Sequence, residues 1–229
     1  MFFEVPGVLV DRAALRRGYS RALGQMMAER YGLTPRDWTR AYAQVLTDWD
    51  SYYADLNLSG DDGLADLWEG LFRTTRALFR LSGVPEPAHT DLIALSRELP
   101  ALASRDCHAL YPEVADVLAQ LDAAGLTLGV ISYAISAQLA ALLQPVIGHF
   151  KGAIWGTDTA ERFEKDAQRY RLAALHAQVA PEQCLVVDDQ ALALANARKT
   201  GMRTVLLCRD NGDLRGLLID ALHQRRGGS

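Results

Sequence analysis

Cys184-Leu185-Val186-Val187-Asp188-Asp189 is the stretch that decides the fold: four apolar residues stop abruptly at two carboxylates. A short apolar run with no polar alternation reads as a strand buried on both faces, the kind found in parallel sheets. The chain on either side keeps that rhythm. Ahead of it, Asp166 to Gln178 has helical periodicity, Ala153 to Trp155 is a short strand and Ala137 to Leu143 is helical. Leu126 to Ile131 is an apolar strand, preceded by an amphipathic helix over Pro112 to Ala124 that Gly125 closes. Beyond the two aspartates, Ala191 to Lys199 is helical, Gly201 ends it, and Thr204 to Cys208 is a last strand. The N-terminus adds a strand over Phe2 to Val5, followed by Gly7. Strands alternating with helices imply crossover connections and a doubly wound parallel sheet in an α/β fold.

Residues 13–102 carry no strand pattern. Ala14 to Tyr31 places Leu15, Tyr19, Leu23 and Met27 at helical spacing. Thr34-Pro35 is a helix start, with the hydroxyl as cap and proline at the first helical position, and the helix runs to about Tyr53. Ser59-Gly60-Asp61-Asp62-Gly63 is a turn cluster, Leu64 to Leu81 a helix, and Thr90 to Leu99 a weaker one after Ser82 to Pro87. The expected organisation is a core of residues 1–12 and 103–229 with an inserted all-helical module at 13–102.

Composition excludes several classes of function. The 229 residues carry a net charge of −4 with no long basic run, and Arg225-Arg226 is too short for a patch. Nucleic acid is therefore not expected, because phosphate neutralisation needs a basic face. No apolar run reaches the roughly 20 residues of a membrane span, and no leader pattern opens the chain. Cys107, Cys184 and Cys208 are odd in number and far apart, without zinc spacing. Cys184 and Cys208, in apolar runs, read as small core residues, and a reducing cytoplasm is the default. The histidines, His223 among them, show no pairing.

Parallel sheets bind ligands at the carboxyl ends of their strands, near a switch in strand order. The polar residues at strand ends are thus the candidates: Glu4, Ser132 and the Asp188-Asp189 pair, with Lys165 ahead of the helix that leads to the fourth strand. Asp188-Asp189 can hold Mg²⁺ through oxygen ligands or serve as a helix N-cap. Lys165 stands between Glu161, Glu164 and solvent-type neighbours, so a solvated position is as good a reading. Trp38, Trp49, Tyr52, Tyr53 and Trp68 have the spacing of core aromatics. The density at Asp48-Trp49-Asp50 and Tyr52-Tyr53 also suits a pocket wall.

These segments resemble the haloacid dehalogenase superfamily along most of the chain. Leu110 to Val114 followed by Leu126 to Ser132 is similar to its second motif, and Val179 to Asp189 to its fourth, continued by Asn196 to Val205. The helical module sits where many members carry a cap. The resemblance implies a Rossmann-like core, a catalytic group of Glu4, Ser132 and Lys165, and binding residues Pro6, Gly7 and Tyr133. It also implies Mg²⁺ held by Glu4, the Pro6 carbonyl, Asp188 and Asp189. Ungapped, the third-motif lysine falls on Glu164, and the further acidic or amide residue falls near Ala193.

The first loop departs from the family pattern. Phe3-Glu4-Val5-Pro6-Gly7-Val8-Leu9-Val10-Asp11 aligns without gaps and puts Glu4 at the aspartate nucleophile and Pro6 at the general acid/base. Glutamate is one methylene longer, and a misplacement of about 1 Å can cost about a hundredfold in rate. Proline neither donates nor accepts a catalytic proton and has no N–H for phosphate. Mg²⁺ binding is expected to be weakened. Three functions remain open: a degenerate member that binds a small molecule or assists a partner protein or a second copy; a hydrolase using Glu4 on an activated substrate such as a haloacid; and a residual metal-dependent phosphatase.

Overall fold

The computed structural model describes residues 1–60, 62–210, 212–216 and 218. Asp61, His223 and Arg225-Arg226 lie outside them.

Five parallel strands form one sheet in the order β3-β2-β1-β4-β5. They are β1 (Phe2–Phe3), β2 (Gly129–Ile131), β3 (Ile154–Trp155), β4 (Leu185–Asp188) and β5 (Arg203–Leu206). The chain winds outward from β1 through β2 to β3, then crosses back to lay β4 on the other side of β1. The switch point therefore falls at β1 and β4. Register there is set by Phe2 opposite Val186 and Phe3 opposite Val187, with Phe3 also opposite Val130.

Alternate residues feed two separate cores. Phe3, Val130 and Val187 join one with Val114, Val117, Leu118 and Leu121 of α6 (Val114–Ala123) and Leu139 and Leu142 of α7 (Ser136–Leu142). Phe2, Ile131 and Val186 join the other, with Tyr170, Ala173 and Ala174 of α8 (Ala167–His176) and Leu194 and Ala197 of α9 (Ala191–Arg198). Because successive strand residues face opposite sides, burial on both faces makes every strand position apolar. This is why the strands read as unbroken hydrophobic runs.

Among the described residues, five helices lie between β1 and α6: α1 (Arg12–Tyr31), α2 (Pro35–Thr47), α3 (Trp49–Tyr53), α4 (Gly63–Ser82) and α5 (His89–Ser104). They enclose a third core of Leu23, Met27, Trp38, Val45, Leu78, Phe79, Leu92 and Leu95, among others. Asp11 caps α1 by accepting from Ala14 N at 2.7 Å. Thr34 and Asp37 form a reciprocal capping box at α2, with Pro35 at its first turn. The helix expected from Thr34 to Tyr53 is two helices, broken at Asp48, which ends α2 and begins α3. Strands are shorter than their apolar runs predict: β1 spans Phe2–Phe3 and β2 spans Gly129–Ile131. Cys184 is buried as expected and Cys107 is buried too, but Cys208 is exposed, because β5 ends at Leu206 on the edge of the sheet. No helix among the described residues is long and apolar enough to cross a membrane.

Candidate active site

The switch point gathers three charged side chains that are almost completely shielded: Glu4 at 3% exposure, Lys165 at 0% and Asp188 at 1%. Glu4 follows β1 directly and its N–H donates to Val187 O at 3.0 Å, which fixes it beside the end of β4. One carboxylate oxygen of Glu4 accepts from Ser132 Oγ and, at 2.8 Å, from Val5 N; the other accepts from Lys165 Nζ. The ammonium also donates to Asp188 Oδ2 at 2.5 Å, and Asp188 Oδ1 accepts from Gln190 N at 2.8 Å. Every oxygen of Glu4 and Asp188 is engaged.

The electrostatics follow from one cation serving two anions. Burial pulls Lys165 down, but the adjacent Glu4 and Asp188 outweigh it and leave the ammonium above its ordinary pKa. Burial pushes Asp188 up, with Glu4 adding to the rise, and the shared ammonium does not fully reverse it. Lys165 therefore holds its charge more firmly than Asp188 holds its own.

Lys165 reaches this position because its loop is tied from three sides. Asn196 Nδ2 of α9 donates to Lys165 O at 3.2 Å. Arg169 of α8, itself fully buried, donates to Phe163 O at 2.9 Å, to Trp155 O at 3.2 Å and to Ser132 O. Thr157 Oγ1 donates to Tyr133 O at 2.6 Å, and Asp158 accepts from Ser136 N and Oγ at 2.6 and 2.5 Å. The solvated reading of Lys165 is thus overturned. Charged neighbours in sequence did not reveal that the loop folds over the sheet. The helix N-cap reading of the acidic pair fails as well: the cap of α9 is Gln190, and it makes no side-chain cap bond.

Asp189 points to the other side of the loop. Its Oδ2 accepts from Arg12 Nη2 at 2.7 Å, and the same Nη2 donates to the Pro6 carbonyl at 3.2 Å. Gly7 between them has φ +94°, and a Cβ there would lie 2.1 Å from Asp189 Oδ2. Sequence reading missed Arg12, Arg169 and Asn196. Asn196, a turn beyond Ala193, is the amide that faces this site, while Ala193 is a buried core residue.

The four groups expected to hold Mg²⁺ do not fit it as they stand. Glu4 and Asp188 are closed around Lys165, and the Pro6 carbonyl and Asp189 Oδ2 are closed around Arg12. Among the described residues no group of three or more acidic, histidine or cysteine side chains is placed to hold a metal ion. Mg²⁺ demands near-octahedral oxygen geometry. The oxygen left over is Asp189 Oδ1, buried without a hydrogen-bond partner, and one oxygen is not a site.

Next to the loop opens a cleft of about 360 Å³, between the strand ends and the helical insert. Arg12, Arg16, Tyr19, Tyr42, Trp49, Tyr53 and Tyr133 are among its walls. The pocket-wall expectation holds for Trp49 and Tyr53, which stack at 5.0 Å between ring centroids. Tyr52 instead packs on the helical core, and Trp38 lies wholly inside it. Glu4, Ser132, Lys165 and Asp188 do not line the cleft. Tyr133, which does, holds its ring 4.6 Å from Lys165 Nζ and so stands beside the buried charges.

The sequence matches a family model over most of its length. The haloacid dehalogenase-like hydrolase model aligns with residues 6–201. The chain belongs to that family. Protein CbbY of Cereibacter sphaeroides is 27% identical over 191 residues, covering 79% of each chain. A 2-haloacid dehalogenase structure from Pseudomonas syringae pv. Tomato DC3000 superposes with a TM-score of 0.57 at 22% identity, covering 90% of this chain and 84% of its own. A phosphatase structure of the family from Thermococcus onnurineus superposes with a TM-score of 0.55 at 17% identity, covering 92% and 86%. These structural likenesses establish a common fold. This haloacid dehalogenase-like chain keeps the family's sheet and places Glu4, Ser132, Lys165 and Asp188 together at its switch point.

Proposed function

We propose that this haloacid dehalogenase-like protein binds a small molecule in the cleft beside its switch point and does not hydrolyse phosphate esters. The observation that carries the reading is the closure of Glu4: both of its oxygens are bonded internally and it lies off the cleft. Phosphoryl transfer through an acyl-phosphate requires a carboxylate in line with phosphorus. A longer side chain turned back onto its own neighbour's N–H is not so placed. Protonation of an alkoxide leaving group has no donor at position 6, where the side chain is a pyrrolidine ring. What remains serves binding: an aromatic wall of Tyr42, Trp49 and Tyr53, with Arg12 and Arg16 to receive negative charge.

Displacement of a halide is the second reading. It is favoured by the Lys165 ammonium set against one Glu4 oxygen, and a halide leaves without a proton. One set of assays separates the two: p-nitrophenyl phosphate with Mg²⁺, and 2-chloropropionate without metal. Binding without chemistry predicts no turnover above that of Glu4→Gln for either substrate. Chloropropionate turnover that Glu4→Gln abolishes establishes the second reading. Phosphate release that Glu4→Gln abolishes overturns both. Quenching of Trp49 fluorescence, lost in Trp49→Phe, reports occupancy of the cleft.

A further inference from the structure

We infer that the Arg12 guanidinium is the resident cation of this site, holding the Pro6 carbonyl and the Asp189 carboxylate in place of a divalent metal ion. The inference concerns the loop alone and stands whether or not the protein turns over a substrate. A single nitrogen, Nη2, touches both oxygens, at 3.2 Å from Pro6 O and 2.7 Å from Asp189 Oδ2. A metal ion bridging the first loop to the fourth strand would have to use those oxygens. The loop is shaped for the close approach. A Cβ on Gly7 would stand 2.8 Å from Arg12 Nε and 2.1 Å from Asp189 Oδ2, and the φ of +94° suits glycine. The backbone that carries the guanidinium is fixed, because Arg12 opens α1 directly after its N-cap, Asp11.

The placement of the cations points the same way. Three carboxylates (Glu4, Asp188 and Asp189) meet two fixed cations, Lys165 and Arg12. A divalent ion at the Pro6 and Asp189 oxygens would sit at contact distance from Arg12 and be repelled by it. Arginine suits such a post, since a guanidinium keeps its charge in proteins and a single terminal nitrogen carries two N–H donors, enough for both acceptors. A metal ion can be removed by chelation, but a guanidinium cannot.

The test uses Mn²⁺ as the probe and the full-length protein, with free Mn²⁺ read by electron paramagnetic resonance. Arg12→Ala is expected to bind one Mn²⁺ at least about tenfold more tightly than the unaltered protein, within the range by which partner groups tune metal sites. Arg12→Lys, which retains the charge, is expected to bind as weakly as the unaltered protein. Adding Asp189→Asn to Arg12→Ala is expected to abolish the gain and so locate the ion. Arg12 is more than half exposed, and circular dichroism checks that each variant folds. The inference is overturned if the unaltered protein binds one Mn²⁺ as tightly as Arg12→Ala does. It is equally overturned if Arg12→Ala gains nothing, or if its gain survives Asp189→Asn.

Discussion

Lys165 and Asp188 form an ion pair at 2.5 Å with both side chains essentially out of contact with water. The same ammonium holds Glu4, so one cation is shared by two carboxylates from the ends of strands that are neighbours in the sheet but 184 positions apart in sequence. Removing it should be costly. Lys165→Met strands two buried carboxylates, and a broken buried pair of this kind costs roughly 3–5 kcal/mol. In the variant the carboxylates gain raised pKa values, so the folded state binds protons that the unfolded state releases. Stability is then retained below the ordinary carboxylate range and lost as pH rises through the raised values. Urea midpoints at pH 5 and pH 8 should therefore differ more for Lys165→Met than for the unaltered protein.

Arg169 is expected to act as a fastener of the loop rather than as a source of charge at the site. Burial depresses its pKa, and its donors hold carbonyls of Ser132, Trp155 and Phe163. Arg169→Met takes the donor from the Ser132 and Phe163 carbonyls, while Trp155 O keeps Ser132 N at 3.0 Å, and each stranded group costs about 1–3 kcal/mol. A loss of roughly 2 kcal/mol or more is expected in denaturant titrations. Arg169→Lys should recover only part of it, since a point ammonium cannot span the same fork.

Gly7→Ala should destabilise through the backbone and the side chain together. A non-glycine residue held at positive φ costs about 1–3 kcal/mol. The new methyl would also overlap Asp189, which must then release Arg12. A lowered melting temperature is the readout, and Gly7→Ala in an Asp189→Gly background should lose less.

Restoring the loop tests how far the rest of the site survives. Glu4→Asp with Pro6→Asp returns a shorter carboxylate, a proton donor and a backbone N–H. With Arg12 still on the residue 6 carbonyl and Asp189, nitrophenyl phosphatase activity should remain below about a tenth of that of the triple variant with Arg12→Ala. Activity of the triple variant should depend on Mg²⁺. A double variant as active as the triple would show that Arg12 is no obstacle.

The protein should also be sensitive to alkali. Burial pushes Tyr42 up to about 12 from an ordinary 10.0, and it raises Tyr19 and Tyr170 too. For an acid whose folded pKa is raised, stability is full below the unfolded value and falls as pH rises past it. Lys165 has the same sign near 10.5. Urea midpoints should thus fall steeply above about pH 10, and Tyr170→Phe should blunt that slope.

Much of this was legible from local pattern. The strands over Leu185–Asp188 and Gly129–Ile131 announce themselves because burial on both faces forces an unbroken apolar run, and Ser132 and Asp188 stand where those runs stop. The helix start at Thr34-Pro35 is readable because a cap is made by residues within one turn. Gly7 and Pro6 speak for themselves, since their backbone chemistry does not depend on neighbours. The sequence by itself therefore determined the sheet, the helical insert and the presence at position 6 of a side chain that cannot donate a proton. Only the tertiary structure decided what the charges do. Nothing around Glu161, Glu164 and Lys165 says that Lys165 is buried, because the residues that bury it come from α8, α9 and the ends of β1 and β4. Arg12 looks like one arginine among several on α1 until Asp189, 177 positions away, is folded against it. Electrostatic partnership depends on distance in space, and local sequence pattern carries no information about distance across a sheet.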